Sequence, residues 1–281
     1  MGLRSDGTLA TGRVVTRITV THGQGDCYRS FERAVKRAER AVKRVVRHSV
    51  STLRSITVKG VADHGLMRVA PIIGELVPLS KKQQRVAPKL TRVELQYGAS
   101  GVAKAGKAIA AGLWPALGEL LLPHCRVNAQ QFEELGRGIR DGRVPKLRVL
   151  NWDNQTSESR KMRSVDCGIL NALSAGKCPA IEHLSFTNNR FCPDYNISYL
   201  EEAFMACPNL RELLMDCSRV SHNDLRVLTS TMQVGHLPRL ESLYVRSPCR
   251  VDAARNAMLN NLRRAAAARD PPVELTVKTG T

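Results

Sequence analysis

Six prolines recur along this chain in the same local setting, and their spacing limits the fold more than any other feature. The tripeptides Pro88-Lys89-Leu90, Pro115-Ala116-Leu117, Pro145-Lys146-Leu147, Pro179-Ala180-Ile181, Pro208-Asn209-Leu210 and Pro238-Arg239-Leu240 follow one another at intervals of 27, 30, 34, 29 and 30 residues. Each opens the pattern L-x-x-L-x-L: Leu117, Leu120, Leu122; Leu147, Leu150, Trp152; Ile181, Leu184, Phe186; Leu210, Leu213, Met215; Leu240, Leu243, Val245. A period of this length means that one structural unit is being repeated, and it decides the architecture before any single element is considered.

Within each pattern apolar and other residues alternate over a few positions, as in a half-buried strand. The segments between carry apolar residues at helical spacing: Phe132, Leu135 and Ile139; Leu200, Phe204 and Met205; Leu225, Leu228 and Met232. The residue before each proline is pushed out of helical geometry, so the proline ends a helix and feeds the next strand. Weaker copies extend the series to Leu53, Ile56, Val58, to Val15, Ile18, Val20 in a strand read as Val14 to Val20, and to a last strand with Val273, Leu275 and Val277. The first two units lack the proline and run 38 and 37 residues. A strand–helix unit cannot bury its own apolar face, so about eight units must stack, with parallel strands on one side and helices on the other. Apolar residues are 43% of the chain but aromatic ones only 4%, so the core must be aliphatic. The expected organisation is a single domain over 1–281: irregular basic repeats over 1–87, regular repeats over 88–250, and a helix with a last strand over 251–281.

Three residues past the pattern stand Cys125 and Asn189, followed by Val127 and Phe191. With these positions the segment from about 88 to 250 resembles leucine-rich repeats, and unit lengths near 30 resemble the ribonuclease-inhibitor-like subclass. Cys178-Pro179 and Cys207-Pro208 are similar to pairs in the cysteine-containing repeats of F-box partners. Gly98, Ser218 and Pro248 depart from the Asn or Cys of that pattern. The resemblance implies an α/β leucine-rich-repeat solenoid, a horseshoe with parallel strands on its concave face and helices on its convex face. It also implies a buried Cys125 whose thiol bonds to loop backbone.

Sites for chemistry are few. Gly101-Val102-Ala103-Lys104-Ala105-Gly106-Lys107-Ala108 matches G-x-x-x-x-G-K, but Ala108 stands where a phosphate loop needs Ser or Thr to place a hydroxyl on magnesium. Val102, Ala105 and Ile109 share a helix face, so the stretch reads as a repeat helix. The seven histidines form no H-E-x-x-H pair, no G-x-S-x-G elbow occurs, and the eight cysteines include no C-x-x-C. No catalytic residue, metal site or cofactor is expected, and the protein is read as a non-enzyme. No run of about 18 apolar residues suggests a membrane span. The basic, Ser/Thr-containing lead to Arg17 faintly resembles a mitochondrial presequence, but no signal-peptide core accompanies it. The expected location is intracellular, cytoplasmic or nuclear.

Charge is uneven. Residues 1–110 hold 21 Lys and Arg against 7 Asp and Glu, whereas residues 111–281 hold 22 against 18, so most of the net +18 lies in the first part. Tyr28 to Val50 reads as a basic amphipathic helix: Phe31, Ala34, Val35, Ala38, Val42 and Val45 form one stripe beside Arg33, Lys36, Arg37, Arg40, Lys43, Arg44 and Arg47. These cations could meet RNA or an acidic partner. Few aromatic residues accompany them, which argues against base stacking.

The outward strand positions include Arg92, Glu94, Gln96, Glu119, Leu121, Val149, Asn151, Asp153, His183, Ser185, Thr187, Glu212, Leu214, Asp216, Ser242, Tyr244 and Arg246. The resemblance places them on the concave face and implies a binding scaffold for another protein, with Asp153, Tyr244 and Arg246 as anchors or charge partners. The rival reading is a polyanion-binding protein acting through the basic N-terminal helix. A third, loosely resembling the Ran GTPase-activating proteins, would use Arg126 and Arg190 in strand-to-helix loops.

Overall fold

A computed structural model describes residues 17–21, 53–59, 87–96, 99–125, 129–153, 165–187, 197–216, 222–247 and 253–279. The basic segment Tyr28 to Val50, the loop arginines Arg126 and Arg190, and Asn189 with Phe191 lie outside these residues.

Among the described residues, strands and helices alternate in a single repeating order. The strands are β1 (Arg17–Thr21), β2 (Ser55–Lys59), β3 (Arg92–Leu95), β4 (Glu119–Leu121), β5 (Val149–Asn151), β6 (His183–Phe186), β7 (Glu212–Asp216), β8 (Ser242–Ser247) and β9 (Glu274–Thr279). The helices are α1 (Ala99–Ala110), α2 (Ala129–Arg140), α3 (Val165–Ser174), α4 (Ile197–Met205), α5 (His222–Gln233) and α6 (Ala253–Ala267). The nine strands form one open parallel sheet in sequence order, β1 to β9. The architecture is α/β and solenoid-like.

The register follows the spacing of the sequence pattern. Ile18 pairs with Ile56 and Val20 with Val58, then Ile56 with Val93, Leu120 with Leu150, Leu184 with Leu213, and Leu243 with Leu275. The two long units without a proline therefore keep the same apolar positions in line as the regular ones. From Leu90 to Val245 the leucine-pattern residues are buried and with the inner helix faces form one continuous core, against which Leu275 and Val277 of the last strand pack partly buried.

Each proline has the same local role. Ala87-Pro88-Lys89-Leu90 closes a turn through Leu90 N–H donating to the Ala87 carbonyl at 3.2 Å, and the same bond joins Leu117 to Trp114, Leu147 to Val144, Ile181 to Cys178, Leu210 to Cys207 and Leu240 to Leu237. Proline suits the second position of such a turn because its φ is already set. Just beyond each of the first five turns one carbonyl accepts two N–H groups from the following unit. Thr91 O receives Gly118 and Glu119, Gly118 O receives Arg148 and Val149, and Arg148 O receives Glu182 and His183. Neighbouring units are thus laced together before the strand begins.

Helices α1 and α2 stop at Gly112 and Gly142, whose φ angles of 71° and 70° favour glycine. Leu113 N–H then donates to Ala108 O and Gly112 N–H to Ile109 O, which satisfies carbonyls left open at the helix end. These two helices also pack with their backbones close: a Cβ at Gly138 would lie 2.6 Å from Ile109 Cγ2 and 2.8 Å from Ala110 N, and one at Gly106 would lie 3.0 Å from Leu135 N.

Two expectations need correction or restatement. Met205, read as part of the inner face of its helix, is 53% exposed. Leu200, Ala203, Phe204 and Cys207 fill the core there, and one further residue is about 100° around the helix from Phe204. The phosphate-loop-like stretch Gly101 to Ala108 is helix body, with Val102, Ala105 and Ile109 buried and Lys107 exposed, 3.9 Å from Glu134 of α2. It forms no loop that could cradle a phosphate.

The residue before each proline points into the core: Ala87, Trp114, Val144, Cys178, Cys207 and Leu237 are all at most 2% exposed. Cys178 and Cys207 therefore serve as small apolar side chains. Burial pushes the Cys178 thiol up from 9.0 to about 11, and burial with the neighbouring Cys178 pushes Cys207 up to about 12. In the unfolded chain both thiols ionise near pH 9, whereas in the fold they hold their protons to higher pH. Their contribution is therefore unchanged below pH 9 and is lost as pH climbs towards the folded values. Between pH 9 and pH 10 the pair should lose about 2 kcal/mol of stability. Urea denaturation at the two pH values checks this, and the Cys178→Val, Cys207→Val double variant should show a correspondingly smaller fall.

Candidate functional site

Strand alternation leaves one sheet face turned away from the helices, and parallel pairing aligns its side chains in rows across the strands. One row reads Ser55, Arg92, Glu119, Val149, His183, Glu212, Ser242 and Glu274; the next reads Thr57, Glu94, Leu121, Asn151, Ser185, Leu214, Tyr244 and Thr276. The partner-facing residues expected from the sequence thus fall on one surface. They form three connected groups.

Arg92 on β3 lies between two acids, with its Nη2 donating to Glu94 Oε2 at 3.1 Å and its Nη1 contacting Glu119 Oε2 on β4. Glu94 is only 8% exposed, so the outward position is nevertheless packed over. A carboxylate with little water around it requires such a cation.

The second group is centred on Asp153, just past β5. Asn151 Nδ2 donates to Asp153 Oδ2 at 2.8 Å, while Ser185 Oγ and the Thr187 N–H donate to Oδ1 at 2.6 and 2.7 Å. Ser185 and Thr187 belong to the next repeat, so the carboxylate joins two units. Asp153, read from the sequence as an anchor for a partner, places both carboxylate oxygens in bonds within the protein.

In the third group His183 Nδ1 and Glu212 Oε2, on β6 and β7, are 2.8 Å apart, and both side chains are about two-fifths exposed. The imidazole donates from Nδ1, which orients the ring. Half-buried apolar side chains flank these polar groups: Leu121 and Val149 on β4 and β5, Leu214 and Tyr244 on β7 and β8. Leu121, Val149 and Leu214 are outward positions with apolar residues at which a solvated strand would carry polar ones, and that is the signal marking them in the sequence. Asp216 and Arg246 stand opposite each other in the register, one row further along the strands.

Cys125 is fully buried, as expected; its Sγ lies 3.1 Å from the carbonyl of Leu95, the last residue of β3, and 3.6 Å from that of Pro123 in the loop expected to hold it. Among the described residues, no three His, Cys, Asp or Glu side chains gather as a metal site would require, and no helix is long and apolar enough to cross a membrane. The cations Arg33, Lys36, Arg37, Arg40, Lys43, Arg44 and Arg47 lie outside the described residues.

Neither protein-family models nor curated proteins give a match to this sequence.

Proposed function

We propose that the chain is a leucine-rich-repeat solenoid, without catalytic activity, that holds another protein against the outward strand face, the concave side of a horseshoe. The observation that carries this reading is the composition of that face. Leu121, Val149, Leu214 and Tyr244 stand half-buried among polar groups already fixed by the Asp153 and His183–Glu212 contacts. Side chains held in place before binding lose little freedom when a partner arrives, and apolar or aromatic groups in a polar surround are the usual anchors of protein interfaces. The free, buried thiols of Cys125, Cys178 and Cys207 fit a reducing compartment, the cytoplasm or the nucleus.

The test is site-directed photocrosslinking in cells, with a photoreactive residue at Leu214 or at the exposed Asn256 of α6. A discrete protein adduct at 214, unaffected by nuclease and absent at 256, is the expected result. Tyr244→Ala with Leu214→Ala should weaken binding of that protein at least about tenfold while leaving the fold intact. Equal crosslinking at both sites, or adducts only to RNA, would rule the reading out.

A further inference from the structure

On the helix side of the molecule a groove opens between the last two helices. A groove of about 430 Å³ runs between α5 and α6, lined by Arg226, Ser230 and Gln233 from the first and Met258, Asn261 and Arg264 from the second. Among the described residues its lining contains no carboxylate, and neither Arg226 nor Arg264 forms an ion pair. This is unlike the arginines of the strand region, where Arg92, Arg148 and Arg211 each face a glutamate.

Arg264 is held without being neutralised. Its Nη2 donates to Asn261 Oδ1 at 2.6 Å, one helical turn back. An amide oxygen fixes the guanidinium but leaves its charge and its other N–H donors available. Arg226 faces it from the other wall, and the Ser230 hydroxyl and the Gln233 and Asn261 amides complete a set rich in donors. The Thr229 hydroxyl in the same wall donates to Leu225 O at 2.7 Å, so its proton is already used within the helix. The sequence of α6 agrees: Ala253–Ala267 holds three arginines and no acid.

We propose that this groove binds a small phosphate-bearing ligand, a phosphate monoester or pyrophosphate, between Arg226 and Arg264. Two planar guanidinium forks match the oxygens of a dianionic phosphate, whereas a metal cation would find no carboxylate among the described lining residues. Met258 is the apolar element of the described lining, which holds no aromatic ring on which a nucleobase could stack. Recognition is therefore of the phosphate, whichever group bears it. The groove is distinct from the outward strand face, and its occupation does not depend on the function proposed for that face.

Isothermal titration of the full chain with sodium pyrophosphate at low ionic strength tests the site, with inorganic phosphate and adenosine monophosphate as further arms. One pyrophosphate per chain is expected, and Arg226→Ala and Arg264→Ala should each weaken it about tenfold or more. Arg263→Ala should leave it unchanged, since the Arg263 guanidinium bonds to Asn260 and does not line the groove. Adenosine monophosphate binding no tighter than pyrophosphate assigns recognition to the phosphate group. Because Arg226 and Arg264 are exposed, circular dichroism should show the variants folded; Arg→Lys variants, which keep the charge but not the fork, should fall between wild type and Ala. Absence of saturable binding up to about 10 mM, or equal binding by Arg226→Ala, Arg264→Ala and Arg263→Ala, overturns the proposal.

Discussion

Replacing Gly138 with alanine is expected to lower the unfolding free energy by about 3 kcal/mol, although the same change in an exposed helix interior raises it by about 1 kcal/mol. The sign reverses because the added Cβ has no free volume. It would lie 2.6 Å from Ile109 Cγ2, 2.8 Å from Ala110 N and 3.0 Å from Ile109 C, and two of these three atoms are helix backbone. A side chain could swing aside; α1 itself must move. That movement would disturb Val102, Ala105 and Ile109, which fill the core beneath it. Gly106→Ala meets Leu135 N at 3.0 Å and Leu135 Cα at 3.3 Å, a looser approach, and should cost less. Urea denaturation of both variants measures the order; equal or stabilising effects would mean that the two helices are not packed backbone to backbone.

Asp153→Ala should destabilise the protein by about 3 kcal/mol, and its effect would be easy to mistake for loss of a binding contact. The carboxylate accepts from Asn151, from Ser185 and from the Thr187 backbone, and Ser185 is only 7% exposed. Alanine leaves those donors without their acceptor, and a buried donor left unmade costs more than the bond was worth. Asp153→Asn keeps one acceptor oxygen and should lose about 1 kcal/mol. Denaturant midpoints of the two variants, with hydrogen exchange at the Thr187 amide, check this. Faster exchange at Thr187 is the local signature; an unchanged midpoint in Asp153→Ala would return Asp153 to the role of a surface group free to meet a partner. For this reason Tyr244 and Leu214 are the sounder positions at which to probe binding.

The contrast between these two residues shows what a sequence of this kind reveals. Strand register was legible because a period of two combined with a recurring proline leaves one alignment that buries the leucines, and even Ile18 and Ile56 obeyed it without a proline. Cys125 was legible because its place in the repeat fixes its surroundings. Gly138 was not: a glycine within a helical stretch reads as a weak point, and nothing in one strand–helix unit states how near the next helix comes. The Asp153 contacts were hidden for a similar reason, since Ser185 and Thr187 lie 32 and 34 residues away and meet it only once two units are stacked. The α5–α6 groove likewise joins residues from two units, and the acid-free stretch of α6 was its one visible trace. Outward positions could be named from alternation, but not which of them the protein uses for itself.

The core positions preceding the prolines have a consequence for the history and engineering of the chain. They hold, in order, alanine, tryptophan, valine, two cysteines and leucine, all sealed from solvent. All six belong to one continuous core, and where neighbouring units meet, Cys178 Sγ lies 3.6 Å from the Val144 carbonyl of the unit before it, so side chains of different size fill the same place in successive units. The units share a backbone but not a volume. Cutting one out and rejoining its neighbours would bring together residues never fitted to each other, leaving a void or a clash at the new junction. Successive units have become particular to their places, and the chain cannot be lengthened or shortened by whole turns without refitting its interior.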